Sequence, residues 1–136
     1  MPTLTRWFLR AAIVNLVAAL ALALLMALPG FAAVAPAWRP VYVHLLVMGW
    51  ATQMIFGVAL WMFPRKRPLD LKTFDWLGWG CFAFTNLGLA LRALAEPTLQ
   101  AGQWAPAGTL VQVAAALQLA AILAFVVQAW PRVTAR

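Results

Sequence analysis

The chain has 136 residues, with ten Lys and Arg against three Asp and Glu for a formal net charge of +7, and 65% of its residues are hydrophobic. Only 10% are charged and the mean hydropathy is +0.87, a balance that excludes a soluble globular domain and points to an integral membrane protein. The cations sit at the ends of apolar runs, where they read as topology signals, so nucleic-acid binding is discarded; the single cysteine, Cys81, excludes an intrachain disulfide and any Cys-based metal cluster.

About 20 apolar residues cross about 30 Å of hydrocarbon, and stretches at about 9–28, 41–63, 76–95 and 108–130 meet that length. The first follows Arg6 and Arg10 and precedes Ala33-Val34-Ala35, an arrangement similar to a secretory signal peptide. Its apolar run, Ala11 to Leu28, exceeds a usual signal core, so it is expected to be a retained span. Proline marks the expected boundaries: Pro29-Gly30 stops the first span, Pro40 starts the second and Pro64 ends it, Glu96-Pro97 ends the third, and Pro131 ends the fourth. Backbone groups in lipid must be satisfied within each segment, so the spans are helices. The expected fold is all-α, a single integral membrane four-helix bundle.

Eight cations, Arg6, Arg10, Arg65, Lys66, Arg67, Lys72, Arg132 and Arg136, fall on one side of these spans, and two, Arg39 and Arg92, on the other. Both termini and the 64–75 loop are therefore expected to be cytoplasmic, with the 29–40 and 96–107 loops outside. The loop cations at 65–72 are also placed to attract anionic membrane lipids. Phe31, Trp38 and Trp104 on the outer side, and Trp7, Trp76, Trp79 and Trp130 on the inner side, read as interfacial belts; Trp50 and Trp61 lie deeper.

The second span holds the only histidine, His44. It lies roughly 5 Å below the outer interface at a rise of about 1.5 Å per residue. An ionisable, metal-liganding side chain at such a depth is a functional-site hypothesis. Gly49, Gln53 and Gly57 form a four-residue-spaced ridge that admits either another helix or a flat ligand, and His44, Met48, Ala51 and Ile55 share an adjacent stripe. In the third span Cys81, Thr85, Gly88 and Arg92 share a face beside Asn86. With Asn15, Gln112 and Gln118 they are expected to form interhelical hydrogen bonds. Ala116, Ala120 and Ala124 are spaced for close helix packing. No Asp or Glu is placed mid-membrane, which removes an obvious proton relay.

The stretch HLLVMGWATQMIFGVALWMFPR, residues 44–65, resembles the second transmembrane helix of the catalytic subunit of the haem-copper oxidase superfamily, particularly its nitric oxide reductase and high-affinity cytochrome c oxidase branches. The resemblance covers residues 40–65; the third helix is only reminiscent. It implies that His44 is an axial ligand of haem b, in a protein of the bacterial inner membrane. The further histidines of a complete catalytic subunit are missing from this sequence, so no binuclear centre is expected from one copy.

A second axial ligand is then needed. It is either His44 of a second chain in a homodimer about an axis along the membrane normal, or Met26; an open site is the remaining alternative. Met48 shares a helix with His44 and cannot reach the opposite haem face. Arg39 and Arg92 are the candidate partners of the haem propionates, and Gly49 and Trp50 complete the candidate haem-binding residues. The function implied is single-electron transfer near the outer leaflet, with quinol or another redox partner. Alternatives are a gas-binding haem sensor, Cu(I) handling by His44, Met48, Met54 and Met62, and a cofactor-free oxidase accessory or assembly subunit.

Overall fold

The computed structural model describes residues 1–63, 71–102 and 104–133, without the side chains of 71–74. Four helices are long and apolar enough to cross a membrane: Thr3–Ala27, Ala35–Met62, Asp75–Gln100 within a helix that begins at Leu71, and Ala107–Val133. We refer to them as the first to fourth helices. Among the described residues there is no strand, as expected for Ala- and Leu-rich segments whose backbone groups must pair internally in lipid. A short 3₁₀ turn, Pro29–Phe31, joins the first two. Gly102, with φ of 63°, turns the chain between the last two, in the left-handed region that only glycine enters without steric cost.

The helices run past the prolines expected to bound them. The second begins at Ala35, with Pro36 in the first turn, where its missing N–H has no intrahelical partner to lose, and Pro40 inside. The third continues through Pro97 to Gln100, and the fourth through Pro131 to Val133. Pro64, Arg65, Lys66, Arg67 and Arg136, expected on the cytoplasmic side, lie outside the described residues, as does the side chain of Lys72.

The second helix is not uniform. Leu45–Thr52 winds as a π-helix between α-helical segments Ala35–His44 and Gln53–Met62. Such wide turns re-aim the side chains around them and concentrate at functional sites; this one opens immediately after His44.

The third and fourth helices pack along their length, the first packs on Leu45–Met62, and Ala35–His44 leans on the third. The glycine ridge is taken by helix contacts: a Cβ at Gly49 would lie 2.8 Å from Asn15 Cβ, and one at Gly57 3.0 Å from Phe8 Cβ. Between them Gln53, fully buried, exchanges two amide hydrogen bonds with Asn86, donating at 3.2 Å and accepting at 3.1 Å. The expected interhelical role thus holds for Asn86, with Gln53 as its partner, and for Arg92 and Gln118, which bond each other, whereas Asn15 and Thr85 donate to carbonyls of their own helices and Gln112 is exposed. On the fourth helix the close approach is made by Ala114 and Gln118 against Gly88 and by the buried Ala121. Of the expected alanine stripe, Ala124 packs on the core and Ala116 is exposed.

All four helices contribute to one buried cluster, Leu4, Phe8, Phe56, Leu60, Cys81 and Ala121. Phe56 stacks on Phe125 with centroids 3.9 Å apart, and Phe8 meets Phe82 edge-on at 5.2 Å. Aromatic pairs of this kind contribute about 0.5–1.5 kcal/mol beyond area burial. The cluster fixes the end of the bundle that carries the chain termini, leaving the polar residues of the other end to a different arrangement.

Candidate functional site

At the end of the bundle near the 28–34 and 101–106 connections, the second, third and fourth helices bring His44, Arg92, Glu96 and Gln118 together. Pro40 O accepts a hydrogen bond from His44 Nδ1 at 2.9 Å, and Glu96 Oε1 lies 3.6 Å from the same nitrogen, an electrostatic contact too long for a hydrogen bond. Both neighbours are acceptors, which assigns the Nδ1 proton and leaves Nε2 as the nitrogen with the lone pair in the neutral ring. A backbone carbonyl and a carboxylate behind one ring nitrogen are the setting in which the other nitrogen binds metals.

Arg92 donates from Nη1 to Glu96 Oε1 at 2.6 Å and from Nε to Gln118 Oε1 at 3.0 Å. The side chains of Arg92 and Glu96 are 13% and 7% exposed. At such burial a charge is tolerated because its opposite is adjacent. The pair is only partly satisfied: Glu96 Oε2 and Gln118 Nε2 are buried with no hydrogen-bond partner among the described residues.

His44, Arg92 and Gln118 also line a groove of about 380 Å³ with Val43, Val47, Met48, Ala115, Leu119 and Ile122. Val43, Val47, Leu119 and Ile122 are exposed on the protomer surface, so the groove opens sideways between the second and fourth helices. The donor set fits one face of a haem, with one imidazole whose Nδ1 proton is already committed, apolar walls and a cation at the edge.

Of the other expected site residues, all but Met48 lie outside this groove. Met26 and Arg39 line a separate groove of about 440 Å³ with Ala32, Ala35, Pro36 and Tyr42. Gly49 is buried against Asn15 of the first helix, and Trp50 is surface-exposed. Met48 stays beside His44 and also accepts a long contact from Thr52 Oγ1 at 3.8 Å. For the copper alternative, Met62 is exposed on the surface, away from the groove lining.

Glu96 and Gln118 complete the cluster, and sequence reading had not assigned either to the site. Taking Glu96-Pro97 as the end of the third helix put Glu96 in a loop. Its spacing from Arg92, four residues apart and opposite in charge, was the available signal. No protein-family model, curated protein or solved structure matches the chain.

Proposed function

We propose that this chain is a b-type haem-binding protein of the bacterial inner membrane that passes single electrons near the outer face, with His44 Nε2 as an axial iron ligand. The observation that carries the reading is the 2.9 Å contact of His44 Nδ1 with Pro40 O, which as a hydrogen bond commits the Nδ1 proton, leaves Nε2 as the ligand nitrogen and orients a ring that lines an apolar groove. Haem, when bound, supplies a one-electron couple whose potential follows ligand identity and local polarity. The chain's own part is to hold the ring through Pro40, to exclude water with Val43, Val47, Leu119 and Ile122, and to offer Arg92 as the cation nearest the ligand. The cation count supports a reading with both termini in the cytoplasm and His44 toward the outside.

The groove is open sideways and a protomer has one histidine, so we assign the second axial position to His44 of a second copy. In that arrangement the partner would cover the exposed Val43, Val47, Leu119 and Ile122, and the His44 side chains of the two copies would together hold the iron. A lone protomer would instead leave an exchangeable position, the basis of the gas-binding alternative.

The test is a reduced-minus-oxidised spectrum of the purified wild type beside His44→Ala. The wild type should show a six-coordinate low-spin haem b spectrum, unchanged on brief exposure of the reduced protein to carbon monoxide, while His44→Ala inserts into membranes without pigment. A rapid carbon monoxide shift would replace electron transfer by gas binding. A colourless wild type after expression with added haem, or pigment retained in His44→Ala, removes the assignment.

A further inference from the structure

Glu96 faces two groups, Arg92 and His44. Its Oε1 serves two groups at once, 2.6 Å from Arg92 Nη1 and 3.6 Å from His44 Nδ1, while Oε2 has no hydrogen-bond partner among the described residues. A structural ion pair needs no third member. Here the anion lies near Nδ1 of the imidazole and the cation lines the same groove as the ring. Burial keeps both charges effective, since fields in a dry interior are weakly screened.

We propose that Arg92 and Glu96 form an opposed-charge pair that sets the donor strength of His44 and, through it, the redox potential of whatever iron that ring holds; the inference rests on the haem reading above. A carboxylate near Nδ1–H gives the imidazole anionic character, which favours ferric iron. A guanidinium on the groove wall favours ferrous iron. The two effects offset each other, so removing either member exposes the other.

The consequence is a pair of shifts of opposite sign. Glu96→Gln leaves Arg92 uncompensated and should raise the midpoint potential. Arg92→Gln leaves Glu96 uncompensated and should lower it. Each is expected to change the ferric-to-ferrous ratio at fixed ambient potential by about tenfold, which is about 59 mV for a one-electron couple. Combining the two should return the potential close to the wild-type value. Glu96→Asp, which keeps the charge but withdraws it, should fall between wild type and Glu96→Gln, and this variant carries the test if either neutral one fails to insert.

Redox titration of each variant in the membrane-extracted, haem-loaded protein reads the result, with the visible spectrum confirming that His44 still binds. Shifts in the same direction, as general loosening of the bundle would give, or no shift at all, overturn the inference while leaving a pigmented wild type and its reading intact. A wild type that is colourless, or unaffected by His44→Ala, overturns the haem reading and takes this inference with it.

Discussion

At Gly49 one added carbon is enough to disturb the bundle, because a Cβ there would stand 2.8 Å from both Cβ and Cγ of Asn15. The obstacle begins at Asn15 Cβ, so shortening that side chain to alanine does not clear it. Gly49→Ala should cost about 1–3 kcal/mol, as overpacking of tight interfaces does, measured by unfolding in mixed detergent. Adding Asn15→Gly should recover part of the loss, and Asn15→Ala should recover little. His44 and Arg92 were legible as candidate site residues because ionisable groups stand out in apolar sequence; Glu96 was not, because a following proline reads as a stop. Trp50 stands out in the sequence as an aromatic residue deep in a span, and in the structure it is partly exposed on the protomer surface and outside the His44 groove lining.

Between elements, the reciprocal amide pair of Gln53 and Asn86 ties the second helix to the third. Interhelical hydrogen bonds in membranes average about 0.6 kcal/mol and reach about 1.7 kcal/mol. A double-mutant cycle with Gln53→Leu and Asn86→Leu should give a coupling of about 1 kcal/mol, toward the upper part of that range because two bonds are exchanged and Gln53 is fully buried; a coupling near zero would reduce the pair to independent contacts. The number of helices follows from runs of apolar residues, which lipid thickness fixes. Their ends do not, since a proline in the first turn loses no bond and one in the last turn loses little that helix packing cannot offset. The π-helical stretch Leu45–Thr52 was not legible in the sequence; in the structure it contains Gly49, which meets the first helix, and ends just before Gln53, which meets the third.

For the whole molecule, the aromatic cluster joins all four helices at the end carrying the termini, and the ionic cluster lies at the other end, beside an open groove. The proposed twin-chain arrangement predicts one haem for every two chains, measured as pyridine haemochrome against quantitative amino-acid analysis, and a particle of twice the protomer mass in native mass spectrometry. One haem per chain in a monomeric particle would rule it out. Arg92 and Glu96 have a further bearing, on how the third helix enters the membrane at all. A charge in an inserting segment is costly, most at its centre and less toward the end where these two lie, and this segment is the least apolar of the four. Because acid and base stand one turn apart on the same helix, they can neutralise each other while the nascent segment is still in the translocon, before any neighbour is available to receive them.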